Sequence, residues 1–148
     1  PPFWQAAMRA HGLDDQALVD RWQMSRFTAP GHVLIDVGVA LAGKGGFEAD
    51  ARDKVSAIVV DFMTPETEPS HWYFWGMARD FRTDDPGFGA RFKAQQAGVF
   101  AEDVEILEAQ QRSILANAGL RLNAYSIDQG GVRARQMIER VRKEEGAA

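Results

Sequence analysis

Four segments between residues 20 and 81 carry the two-residue beat of β-strands, and only short connections join them. In "HVLIDVGVALA" Val33, Ile35, Val37 and Val39 alternate with Leu34, Asp36, Gly38 and Ala40. Side chains on a strand point to opposite faces in turn, so this spacing gives one continuous apolar face. A first strand is read from about Asp20 to Ala29 and stops at Pro30-Gly31. A third is "KVSAIVVDFMT", ended by Pro65, and a fourth is the aromatic "SHWYFWGMARDF". The glycine-rich "GKGGFEADARD" reads as a hairpin connection. Such connections suit antiparallel neighbours, since parallel strands need a long crossover.

Helical spacing takes over after the strands. In "RTDDPG" an acid precedes Pro86, a helix start, and the helix runs from about Phe88 to Asn117 with Gly119 as its cap. A break near Gly98 is left open. Residues 3 to 11 form a short helix or turn, and Asp128 caps a last helix with Ala134, Met137, Ile138 and Val141 on one stripe. Strands segregated from helices predict an α+β fold, with a long helix on one face of a curved antiparallel sheet. A hollow between the two is a natural small-molecule pocket.

The long helix contains one acid in an unexpected place. At 100° per residue, Val99, Phe100, Ile106, Leu107, Ile114 and Ala118 gather into one stripe, while Glu102, Glu105, Glu108 and Arg112 lie opposite. Asp103 falls in the middle of the apolar stripe. A carboxylate there requires a cation, a full set of hydrogen bonds, or a metal. Two readings stand: a structural acid holding an arginine or a turn, and a functional one facing the hollow.

Bulk properties remove several function classes. The chain has 148 residues, enough for one domain with a core. Its net charge of −4 gives no field for nucleic acid or anionic lipid, and the run "RARQMIERVRKEE" mixes both signs. No apolar stretch reaches membrane-spanning length. There is no cysteine, which excludes disulfides and thiolate ligands within the chain and suits a reducing cytoplasm.

Taken together, "DRWQ", "LIDVGVA", "TPETEPSHWYFWGMARDF", "FAEDVEILEAQQ" and "GGVRARQMIERV" resemble the C-terminal catalytic domain of Rieske non-haem iron oxygenases, in the branch of vanillate O-demethylase oxygenase subunits. The resemblance covers nearly the whole chain. It implies a helix-grip fold, an antiparallel sheet wrapped around the long helix. It also implies a mononuclear Fe(II) held by two histidines and one carboxylate, with Asp103 as the catalytic and metal-binding carboxylate. Further implications are a Rieske [2Fe-2S] cluster, a reductase partner, a homotrimer, and an aromatic substrate whose methyl group is hydroxylated and lost as formaldehyde. Substrate contacts carried over by position fall near Ile35, Asp61 and Ala94. Asp61 interrupts the alternation Val55, Ala57, Val59, and bonding to a backbone amide or an arginine is its structural alternative.

The sequence also departs from that pattern. The Rieske domain is absent from this chain, and no match to the family's upstream histidine pair is present. The chain therefore reads as the C-terminal part of the catalytic domain, starting after both histidine ligands, and as inactive alone. His11 is read as solvated in a polar turn, His32 as a turn residue, and His71 as the start of the aromatic strand. Of Trp72, Tyr73, Phe74 and Trp75, alternation sends two to each face, one pair inward and the other toward a subunit or domain. The rival reading is a metal-free helix-grip module that binds an apolar small molecule.

Overall fold

A computed structural model describes residues 2–117, 119 and 123–146. The first helix, α1 (Pro2–Ala10), buries Trp4, Ala7 and Met8, spaced three and four apart so that they share one face. It ends in a Schellman turn: Leu13 N–H donates to the Met8 carbonyl and Gly12 N–H to that of Arg9. Gly12 sits at φ +83°, where a side chain is strained.

Four strands follow: β1 (Val19–Thr28), β2 (His32–Leu41), β3 (Lys54–Pro65) and β4 (His71–Arg79). They pair antiparallel in the order β1-β2-β3-β4, the meander that the short connections require. The register sets Ile35 beside Val59, Val59 beside Met77, and Asp61 beside Trp75, all on the inner face. Val39, Val55, Ala57 and Val59 are buried there. Gly38 belongs to the outer face, where a Cβ would lie 2.2 Å from Trp22. The Trp22 ring crosses that gap and its Nε1 donates to Asp36 Oδ1 at 2.8 Å.

The long helix α2 (Pro86–Ala116) runs 31 residues without a break at Gly98. One glycine lowers helix propensity, but intact hydrogen-bonded turns on both sides carry it. Asp85 caps the helix by accepting from the Phe88 N–H at 2.8 Å, with Pro86 in the first turn where no donor is needed. At the far end the cap is Asn117, whose N–H reaches the Ile114 carbonyl. Gly119 is left-handed two residues later. Ala118 of the expected stripe lies outside the described residues.

The start of α2 is fastened by aromatic rings. Phe92 meets Phe3 at 4.7 Å, Phe88 at 5.9 Å and Phe81 at 6.3 Å between centroids. Phe100 then sets its ring against Trp75 at 5.0 Å and Tyr73 at 6.0 Å. These contacts hold the helix over the inner face of the sheet. The last helix is α3 (Gln129–Gly146). Asp128 precedes it but closes the turn Ser126–Asp128, accepting from the Tyr125 N–H at 2.8 Å. The carboxylate thus serves the 3-10 turn before the helix, not the helix end.

The aromatic block divides as alternation requires. Tyr73 and Trp75 face Phe100, while Trp72 and Phe74 stack on the outer face at 6.5 Å and are exposed. No helix among the described residues is long and apolar enough to cross a membrane.

Candidate functional site between the sheet and the long helix

The sheet, α1 and α2 enclose a hollow of about 460 Å³. Its floor is apolar: Ile35 and Val37 from β2, Val59 from β3 and Met77 from β4. Val99, Phe100 and Asp103 reach it from α2, and Phe3 and Trp4 close one side. Arg21 and Gln23 from β1 and Gln95 and Gln96 from α2 supply the polar groups. This is the composition of a small-molecule site, largely apolar with a few polar groups.

Asp103 is on the wall of this hollow, on the helix face that its position among Val99, Phe100 and Ile106 predicts. It is nevertheless exposed, against the expectation of a buried acid. The physical reason is that the apolar stripe loses its partner layer beyond Phe100. Ile106 is 70% exposed and Leu107 61%. Helical spacing chose the face correctly; only packing decides whether anything covers it. Asp103 makes no ion pair and no hydrogen bond among the described residues.

The buried carboxylate is Asp61, 6% exposed. It accepts from the Tyr73 hydroxyl at 2.7 Å. Neither a backbone amide nor an arginine holds it, the alternatives its position in the strand suggests. The β3–β4 register pairs Asp61 with Trp75 and Met63 with Tyr73, so Tyr73 is the diagonal neighbour of Asp61 on the inner face. Burial first, then the hydrogen bond and charge of Asp61, then the charge of Asp103, push the Tyr73 phenol well above its ordinary range. Tyr73 is therefore a fixed neutral donor between two acids.

Of the other predicted residues, Ile35 lines the hollow, whereas Asp61 is buried on the inner face two residues past Val59 and does not line it, and Ala94 is exposed on α2 away from it. The histidines lie apart. His11 is half-buried rather than solvated, donating through Nε2 to the Ala51 carbonyl at 3.0 Å. His32 meets Phe62 edge-on at 5.0 Å on the outer face, and His71 pairs with Pro65 at the start of β4. Among the described residues no group of three or more His, Cys, Asp or Glu could hold a metal. Arg21 and Gln23 escaped the sequence reading, because a strand that alternates polar residues on both faces does not reveal which face is inner.

The model of the vanillate O-demethylase oxygenase C-terminal domain matches residues 1–144. The chain belongs to that family. It is 57% identical over 148 residues to the vanillate O-demethylase oxygenase subunit of Pseudomonas sp. (strain ATCC 19151), covering all of this chain and 45% of that protein. It is 52% identical over 141 residues to the subunit of the same name from Pseudomonas sp. (strain HR199 / DSM 7063), covering 95% of this chain and 40% of that one. The crystal structure of apo dicamba monooxygenase superposes with a TM-score of 0.70 at 29% identity, over 89% of this chain and 40% of that one. The chain thus spans less than half the length of these relatives. The α+β fold with a four-stranded antiparallel sheet and a long helix is the family's C-terminal architecture.

Proposed function

We propose that this chain is the C-terminal part of the catalytic domain of a Rieske-type non-haem iron oxygenase that removes the methyl group of a methoxylated aromatic compound. The observation that carries the reading is the family match over residues 1–144 together with Asp103 standing on the wall of an apolar hollow. Ile35, Val59 and Phe100 offer flat apolar surface for an aromatic ring. Ile35 is the substrate contact retained from the sequence; Asp61 acts indirectly, by accepting the Tyr73 hydroxyl beside the hollow, and Ala94 is left without a role.

The donors within the chain do not make a complete iron site. A facial triad needs two histidines beside the carboxylate, and the described residues offer Asp103 alone. A Rieske cluster needs two cysteines, and this sequence has none. Those donors are assigned to the part of the relatives' length outside this span, and the chain alone supports no step through iron. A reductase, a homotrimer and a cytoplasmic setting belong to the same proposal. Under the rival metal-free module Asp103 pairs with an arginine or with backbone amides; among the described residues it has neither and is open to water, so it is the family match over residues 1–144 that favours the oxygenase reading.

The test compares the full-length protein that carries this segment with its Asp103→Ala variant. The variant is expected to lose mononuclear iron and, with a reductase, formaldehyde release from methoxylated aromatic acids. The isolated 148-residue chain is expected to bind iron weakly and to turn nothing over. Tight one-to-one iron binding by that chain would overturn the assignment of ligands.

A further inference from the structure

The inner face of the sheet is apolar along β2, from Val33 through Ile35, Val37 and Val39 to Leu41. Its neighbour β1 presents the opposite character. The register places Arg21 beside Val39, Gln23 beside Val37 and Ser25 beside Ile35, so three polar residues in succession face inward. Arg21 is the one cation on the wall of the 460 Å³ hollow, which Asp103 also lines. Arg21 is exposed at the rim, and among the described residues its guanidinium makes no ion pair and no hydrogen bond, as is also true of Arg26 and Arg91, which do not line the hollow. A planar fork of donors at the rim of an apolar pocket matches a carboxylate bidentately. Asp103, on the α2 side of the wall, repels an anion from that side.

Resting on the demethylase reading, we infer that Arg21 is a specificity-determining residue: it binds the carboxylate of an aromatic acid and so orients the ring with its other end toward Asp103. The polarity of the hollow, cation on β1 and acid on α2, sets that direction. Gln23 beside it is a second donor for the same group.

The experiment uses the full-length enzyme with 3-methoxybenzoate and its carboxamide. Dissociation constants are measured without reductase, and formaldehyde release with it. Arg21→Met is expected to raise the Kd and KM of the carboxylate about tenfold to a hundredfold, with kcat changed far less. The carboxamide values stay within about twofold, and Arg21→Lys restores part of the lost affinity. An inward charge on an edge strand can also serve only to block edge pairing. In that case the two ligands shift together or not at all, and the inference is overturned. Wild-type enzyme that fails to prefer the carboxylate overturns it too. Absence of formaldehyde from every substrate defeats the demethylase reading instead, while the pair of dissociation constants still decides Arg21.

Discussion

The two halves of α2 have similar apolar content and opposite fates. From Phe88 to Phe100 the helix is fastened: Phe92 is 6% exposed, ringed by Phe3, Phe81 and Phe88, and Phe100 seals against Tyr73 and Trp75. From Val104 onward the same periodicity gives Ile106, Leu107 and Leu115 to solvent. An amphipathic stripe is therefore an offer of surface, and burial depends on a second layer. Asp103 sits at the boundary, one turn past the last fastened ring. The sheet holds the helix up to that point and leaves the acid at the open end of the hollow. The exposed stripe beyond it is the kind of apolar surface that marks an interaction site.

The sharpest way to break this comparison is to truncate one apolar residue in each half. Phe92→Ala is expected to cost about 3–5 kcal/mol in chemical denaturation of the isolated chain, from lost transfer energy and a cavity. Leu107→Ala is expected to change stability by no more than about 0.5 kcal/mol. Equal losses would mean that the distal stripe is packed after all. In the proposed longer oxygenase, a larger cost for Leu107→Ala would show that a second layer packs on that stripe.

A smaller effect is expected where α2 meets β4. Tyr73→Phe leaves the buried Asp61 without its donor and should cost about 1–3 kcal/mol. The pH profile sharpens the reading. With the folded phenol held above its ordinary 10.0, the unfolded chain releases the proton first. Stability from Tyr73 is therefore full below pH 10 and falls as the pH rises beyond it. Unfolding followed by circular dichroism should show that alkaline loss in the parent and a flatter profile in Tyr73→Phe.

The smallest effect lies at the start of the helix. The Phe88 N–H first, and Arg82 after it, hold the Asp85 carboxyl below its ordinary 3.8. Its contribution is present above that value and fades as the pH falls through the lower folded one. Asp85→Asn keeps a capping oxygen but removes the charge. Thermal melts of the variant should fall slightly below the parent at neutral pH, and the gap should narrow as the pH is lowered below 3.8. A gap that instead widens toward acid would remove the charge from the account.

Much was legible without coordinates because it depends on neighbours in sequence. The alternation of Val33 to Val39 and of Val55 to Val59, with turns too short for crossovers, dictates an antiparallel meander and its inner face. Asp85 and Pro86 mark where α2 begins, and the helical angle of Asp103 gives the side it faces. Other features depend on what lies across space. The burial of Asp61 over Asp103, the bond from Tyr73, and the inward turn of Arg21 follow from strand register and from where the second layer stops. Periodicity fixes direction along a single element, but exposure and partnership are properties of two elements at once, and only the assembled sheet and helix bring those together.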